Sequence, residues 1–355
     1  MNRIGRFAWT LMLLAWISGC DKTKESKSAL SKDDSVPAKA DRSMPEHILV
    51  VTLDTTRADR IGCYGWASAR TPRLDALAAG GVRFAEAFAS APLTLPSHAS
   101  LFTGVHPPVH GCRVNAAESL GTAIPVMSDV MKSRGYSTAA FVSAFVLHKR
   151  FGLDRGFDVY DDRLNTGAEA EATSHGERRG DLTCDAALAW LSRHANERVF
   201  LWVHLFDPHT PYAAPAPYGD DEAPYDGEIA FADAQVARLL NWFEESGKFE
   251  NTLVVVAGDH GESLGEHGEP THGVLLHDST LRVPLILHWP RALPPEKVVE
   301  ANVELVDVLP TVLEAVGAPL PQGLSGRSLK PLWEGRADAE RLVYSETEYP
   351  WRSYG

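Results

Sequence analysis

Seven residues, His47-Ile48-Leu49-Val50-Val51-Thr52-Leu53, form a near-continuous apolar run that stops abruptly at Asp54. A run this short does not span a bilayer, which takes about 20 residues. It also lacks the in-out alternation of a strand with one wet face, so it reads as a strand buried on both faces of a parallel sheet. Similar runs follow at Phe84–Ala89, Ser137–Val142, Val199–Leu205, Thr252–Ala257 and Val283–His288. Helical stretches alternate with them. Thr71-Pro72-Arg73-Leu74 opens a helix to about Ala79, closed by Gly80-Gly81, and Ser97–Phe102 is closed by Thr103-Gly104. Val126–Lys132, Leu182–His194, Ile229–Phe243 and Val303–Val316 complete the set. The alternation predicts an α/β fold: a doubly wound, mainly parallel sheet with helices on both faces.

In such sheets, ligands bind beyond the carboxyl ends of the strands. Asp54 follows the first strong run and Asp259-His260 follow another; His204, Asp207 and His209 accompany a third. Two carboxylates and an imidazole suit a divalent cation. Taken singly, each is as well explained by a strand-end turn.

Composition narrows the partners. The chain has 355 residues and a formal net charge of −13, which argues against nucleic acid as a partner. An anionic substrate stays open, because a metal ion supplies positive charge locally. With 44% hydrophobic residues the chain can build a large core. Its 4 cysteines are too few for a disulfide framework. Cys63–Cys112 is a possible bridge; three small thiols, with Cys184, is the plainer reading.

The amino terminus reads as an address. Arg3 and Arg6 precede the apolar stretch Phe7–Ile17, and Ile17-Ser18-Gly19-Cys20 resembles a bacterial lipobox. This gives a lipoprotein signal peptide over 1–19, lipidation at Cys20, and a polar linker through residue 46. The expected place is the cell envelope membrane, on its periplasmic or outer side. Asp161–Gly180 reads as a mobile polar loop and Ala213–Pro224 as a surface loop.

Four motifs recur in order. They are Leu53-Asp54-Thr55-Thr56-Arg57-Ala58-Asp59; Thr94-Leu95-Pro96-Ser97-His98-Ala99-Ser100-Leu101-Phe102-Thr103-Gly104; His204-Leu205-Phe206-Asp207-Pro208-His209-Thr210-Pro211-Tyr212; and Gly258-Asp259-His260-Gly261-Glu262 with Thr271-His272-Gly273. Together they resemble the bacterial sulfatase family of the alkaline phosphatase superfamily, over about residues 46–350. The resemblance implies a catalytic domain over 47–343. It implies one divalent metal ion (Mn, Zn or Ca) on Asp54, Thr94, Asp259 and His260, with Thr94 as nucleophile. A lone threonine hydroxyl is a poor nucleophile at neutral pH, and coordination activates it. His209 and His272 are candidates to protonate the leaving group. His98, His204 and Arg57 are candidates to hold substrate oxygens, His204 being equally readable as a core residue. A second metal on Asp207, His209 and His272 is a less favoured alternative. Glu262, Glu266 and His267 read as a solvated loop.

The departures from the family pattern bear on chemistry. Sulfatases carry Cys or Ser at the place of Thr94, for conversion to formylglycine, and threonine cannot follow that route. His98 replaces the usual Arg and Thr55 the second Asp, and Ser143-Ala144 stand near a missing Lys. The donor set favours Zn or Mn over Ca. The expected activity is therefore cleavage of a sulfate or phosphate ester through metal-ligated Thr94, with phosphate favoured. The substrate would be a glycan, lipid or small molecule. Phosphotransfer to envelope lipid or glycan, or a catalytically silent binding lipoprotein, are the alternatives. Tyr344–Tyr349 reads as a strand opening a small carboxy-terminal subdomain over 344–355, incomplete at Gly355.

Overall fold

The computed structural model describes residues 44–164, 177–219, 222–336 and 341–354. The expected leader, Cys20 and the linker through residue 43 lie outside them, as does most of the polar loop after Asp161. Eight strands among the described residues form one sheet: β1 (His47–Leu53), β2 (Val82–Phe88), β3 (Ser137–Phe141), β4 (Val159–Asp161), β5 (Val199–Leu205), β6 (Thr252–Gly258), β7 (Arg282–His288) and β8 (Lys297–Glu304). Their order is β4-β3-β5-β1-β6-β7-β2-β8. Every pairing is parallel except those made by β7, which runs against both β6 and β2.

Strands β1, β5 and β6 are buried along their whole length, as continuous apolar runs require. Alternation divides their side chains between two layers. Ile48 and Val50 pack with Leu95, Met127 and Leu309 of helices Thr94–Thr103, Met127–Ser133 and Val308–Ala315. Leu49, Val51 and Leu53 pack with Leu74, Leu191 and Leu239 of helices Pro72–Ala79, Gly180–Arg193 and Pro224–Glu245. Each such side chain contributes about 1.5–3 kcal/mol on burial, so the central strands are held rigidly on both faces. That rigidity matters because their carboxyl ends carry the candidate chemistry.

Several local expectations change. β4 and β8 are added to the expected strands. The helix expected from Val303 begins only at Val308, because Val303 and Glu304 finish β8 against Ala87 and Phe88 of β2. The strand expected at Tyr344–Tyr349 does not form. Its groups bond to loops instead of a ladder: Glu346 N–H to Ser90 O, Ser345 Oγ to Ala89 O, and Thr347 Oγ1 to Gly273 O. Pro350, which has no N–H for a ladder, sits in the first turn of helix Tyr349–Tyr354. Cys63, Cys112 and Cys184 are free thiols, so the candidate bridge is not formed. No helix among the described residues is long and apolar enough to cross a membrane.

Candidate active site

The backbone ladder extends one residue past the central strands. Asp54 N–H bonds Leu205 O at 2.9 Å, and Asp259 N–H bonds Leu53 O at 3.3 Å. The two aspartates therefore leave adjacent strands at one level. His204, in register with Thr52, stands on the neighbouring strand. After Asp54 the chain turns sharply through Thr55 at φ 49°, an uncommon conformation for a β-branched residue. The turn aims Thr55 N–H at Asp259 Oδ1, 3.1 Å away.

Thr94 opens the helix Thr94–Thr103 and is buried. Pro96 falls in the first turn, where an N–H would have no partner inside the helix. Ser97 Oγ donates to Asp259 O at 2.5 Å and pins this helix start to the end of β6. Thr94 Oγ1 then lies 3.4 Å from Asp54 Oδ2 and 3.3 Å from His260 Nε2. Thr94, Asp54, Asp259 and His260 thus converge as the sequence predicts.

Each acidic group keeps one oxygen without a partner. Asp259 Oδ1 accepts from Thr55 N–H and, at 2.7 Å, from His260 N–H. Asp54 Oδ2 takes the neighbouring hydrogen bonds from Thr94 and His204. Asp54 Oδ1 and Asp259 Oδ2 are buried and unpaired. His260 Nδ1–H donates to Gly261 O at 3.0 Å, which leaves the Nε2 lone pair facing the same space. Nε2 lies 3.6 Å from Asp54 Oδ1 and 3.7 Å from Asp259 Oδ2. Bonds of roughly 2.0–2.1 Å to a tetrahedral cation put its donors about 3.4 Å apart. Neighbouring oxygens on a shell of roughly 2.4 Å have the same spacing, so the geometry fixes the place and not the element.

Electrostatics agrees with a cation-binding role. Burial pushes the Asp54 carboxyl up to about 8, with the Glu262 charge adding to the effect, and burial with the Asp54 charge holds Asp259 well above the carboxylate range. An uncompensated buried charge costs several kcal/mol, more than the roughly 1.5–3 kcal/mol that a hydrogen bond to a charged group contributes. The donors present reach only one oxygen of each carboxylate; a divalent ion would answer the other two. These residues fit the metal ion that the resemblance implies.

The surrounding imidazoles divide into two kinds. His98, His204 and His260 are wholly buried, and burial holds all three below the ordinary histidine value, His204 at about 3. His98 Nδ1–H donates to Thr94 O at 2.8 Å. Its Nε2 accepts from the Thr52 hydroxyl, itself held by Trp202 Nε1–H. His98 is therefore a neutral brace under the nucleophile rather than a cation on the substrate. His204 faces Asp54 in place of substrate. Arg57, also expected to hold substrate, is engaged elsewhere: Asp59, Glu266 Oε2 at 2.8 Å and Glu262 O at 3.1 Å take its guanidinium.

His272 is the other kind. Burial alone would lower it, but the Glu262 carboxylate, with Asp54 and Asp259, turns the net shift upward. Its ring lies 4.5 Å from that of His260 and 5.1 Å from that of His209. His209 stacks on Phe206 at 4.3 Å, and its Nδ1–H donates to Thr210 O. His209 and His272 thus stand together beside the cation place. Asp207 does not join them; its Oδ1 accepts Gly180 N–H at 2.8 Å. The alternative second metal on Asp207, His209 and His272 is not assembled.

Glu262 is the residue that sequence reasoning missed. It is wholly buried rather than solvated, with Oε1 3.1 Å from His272 Nδ1. Glu266 pairs with Arg57, and His267 is exposed. The sequence signal, had it been weighed, was an acidic residue two places after His260.

Comparison with known proteins places this geometry in a lineage. The family model "Sulfatase" matches residues 46–318. The uncharacterized sulfatase YidJ of Escherichia coli (strain K12) is 26% identical over 82% of this chain and 71% of its own length. Among solved structures, a phosphonate monoester hydrolase from Silicibacter pomeroyi superposes with a TM-score of 0.70 at 23% identity, covering 83% of this chain and 78% of the other. A structure in complex with its substrate D-glucosamine-2-N,6-O-disulfate gives a TM-score of 0.70 at 20% identity, covering 86% and 82%. With more than half its length matched by the family model, this chain belongs to the sulfatase family of ester hydrolases, in the alkaline phosphatase superfamily.

Proposed function

We propose that the protein is a metal-dependent phosphoesterase built on the sulfatase fold, with Thr94 as its nucleophile. One observation carries the reading: the Thr94 hydroxyl shares a buried space with the unpaired oxygens of Asp54 and Asp259 and the lone pair of His260 Nε2. A divalent cation bound there would supply Lewis-acid stabilisation of negative charge on the Thr94 oxygen and on the ester group. Zn or Mn suits this donor set better than Ca.

The chain's own residues do the rest. The Thr94 oxygen attacks phosphorus as its proton passes to Asp54 Oδ2, which accepts its hydrogen bond, and the bond from phosphorus to the leaving oxygen breaks. His272, held by Glu262 with His209 at its edge, gives that oxygen its proton. Water then attacks phosphorus and gives one proton back to His272, while the Thr94 oxygen leaves and recovers its own proton from Asp54. Turnover of a sulfate ester is disfavoured, because a threonine has no second hydroxyl with which to expel sulfate as hydrated formylglycine does, and a sulfated Thr94 would need water to attack sulfur. The substrate is an anionic ester, phosphorylated or sulfated, of a glycan, lipid or small molecule. The lipobox-like Ile17-Ser18-Gly19-Cys20 supports anchoring to the envelope membrane through Cys20.

The test is hydrolysis of an aryl sulfate, an aryl phosphate and a diaryl phosphate by the full chain in detergent, loaded with Mn or Zn. Phosphate-ester cleavage that disappears in Thr94→Ala is the expected result. Sulfate cleavage dependent on Thr94, or phosphate cleavage indifferent to its loss, overturns the reading.

A further inference from the structure

Besides the ligand set, a second group of buried donors lies together: His98, His204 and Asp259, their ligating atoms within 4.8 Å of one another. It has the residue types of a second metal site. Its hydrogen bonds point elsewhere. His204 Nδ1 accepts the Ser143 N–H at 3.4 Å, so its proton resides on Nε2. His98 Nδ1 likewise carries a proton, donated to Thr94 O. Neither imidazole offers this group a free lone pair: His204 Nε2–H donates to Asp54, and His98 spends Nδ1–H on Thr94 O and Nε2 on the Thr52 hydroxyl. Neither is therefore a ligand of a further cation.

Resting on the metal site proposed above, we infer that His204 is the positioning residue that fixes which oxygen of Asp54 meets the cation. His204 Nε2–H donates to Asp54 Oδ2 at 3.1 Å. That bond holds Oδ2 and leaves Oδ1 unpaired and buried, facing His260 Nε2. Thr55 N–H and His260 N–H treat Asp259 the same way, taking Oδ1 and leaving Oδ2. At Asp54 side chains hold the oxygen turned away from the cation place: the imidazole from β5 at 3.1 Å and, more loosely, the Thr94 hydroxyl at 3.4 Å.

The imidazole is itself clamped. Ser143 N–H fixes the ring tautomer, and Ser143 Oγ donates to the His204 carbonyl at 2.6 Å. The Ser143 hydroxyl also contacts Thr183 Oγ1 at 2.8 Å. All four residues, Ser143, Thr183, His204 and Asp54, are fully buried, so no water can replace a missing donor cheaply. Ser143 stands near the place where family members carry a Lys; here it orients a ligand's partner from inside the fold. Donors of this kind, acting through a ligand, typically set metal affinity within a factor of 10–100.

The experiment measures Zn and Mn affinity of the full chain by chelator competition, for wild type, His204→Leu and His204→Gln, with the melting temperature of each metal-free protein alongside. Leu removes the donor, and the amide N–H of Gln restores one in nearly the same place. The expected result is a roughly 10–100-fold loss of affinity in His204→Leu, recovery to within about threefold in His204→Gln, and unequal affinities even where the metal-free melting temperatures match. Equal affinity in all three proteins overturns the inference, as does a loss in His204→Gln as large as in His204→Leu. Should His204→Leu fail to fold, His204→Asn, whose shorter amide does not reach Asp54 Oδ2, takes its place: a tenfold loss against His204→Gln sustains the inference and equal affinities end it. If wild type takes up neither metal, the proposed metal site itself fails, and that result is seen before any variant is compared.

Discussion

Glu262 Oε1 lies 3.1 Å from His272 Nδ1, and Glu262 has no solvent exposure at all. A buried carboxylate against an imidazole favours the imidazolium, and the upward net shift of His272 follows, against the effect of its own burial. In the proposed mechanism His272 is therefore the proton donor to the leaving oxygen. Glu262→Gln keeps a hydrogen-bond acceptor and removes the charge. Alkyl phosphate esters, whose leaving oxygen needs a proton, should slow by about 100-fold in kcat/KM, and nitrophenyl esters much less. In wild type the protonated form is lost as pH rises through the raised pKa, so activity on alkyl esters falls there. In the variant that fall should move to lower pH. Equal losses on both ester types would remove His272 from the role of acid.

Thr94 makes a sharper prediction because the proposed mechanism makes its hydroxyl oxygen the bond-forming atom. Thr94→Ala should lower phosphate-ester turnover by at least about 1,000-fold, while Thr94→Ser, with the same hydroxyl, should retain turnover within about tenfold. Neither change should alter the fold appreciably, since the start of the helix is pinned by Ser97 Oγ on Asp259 O. Quenched-flow trapping of a phosphorylated protein in wild type and Thr94→Ser, and its absence in Thr94→Ala, checks the assignment. Phosphoprotein in all three would transfer the role to another group.

The paired carboxylates predict opposite effects on stability with and without metal. In metal-free protein Asp54 and Asp259 crowd like charge into a dry space, and burial raises both. Asp259→Asn retains an oxygen for the Thr55 and His260 N–H groups. Its metal-free melting temperature should equal or exceed that of wild type. Wild type should gain about 2.7 kcal/mol at a hundredfold excess of metal over Kd, and the variant should gain nearly none. Calorimetry with and without Mn or Zn measures both. A metal-free Asp259→Asn that melts well below wild type would show that the carboxylate serves the fold rather than an ion.

Much of this could be seen in the sequence, and the rest was hidden for physical reasons. β1, β5 and β6 were legible because both faces are buried, so every position demands an apolar residue. β8 was not: at the sheet edge Val298, Glu300 and Asn302 are exposed, and Lys297-Val298-Val299-Glu300 reads as polar chain. Asp54, Thr94, Asp259 and His260 were legible because each closes or opens an element with a strong signal. Glu262 sits in a Gly-, Glu- and His-rich stretch that looks solvated. Only the folded loop, with Ser263 N–H on Thr271 O, brings it beneath His272. Arg57 misled for the converse reason. Asp59 is a near neighbour, but Glu266, the second carboxylate on its guanidinium, is 209 residues away along the chain.

Glu228 carries a prediction independent of the active site. It lies on helix Pro224–Glu245, 4% exposed, and accepts the Ala213 N–H. Burial pushes its carboxyl up to about 8, with the charges of Asp207 and Glu177 adding to the effect. The folded state therefore holds a proton that the unfolded chain releases near the ordinary glutamate value of about 4.3. Between those two values the native state binds the extra proton, so stability must fall as pH rises, by at most about 1.4 kcal/mol per pH unit from this group. Glu228→Gln mimics the protonated acid. It should leave stability at pH 5 nearly unchanged, raise it relative to wild type at pH 8, and flatten the slope between. Urea unfolding of both proteins at half-unit pH steps measures the difference. Parallel slopes would mean that Glu228 is ionised in the folded protein and that another group answers its charge.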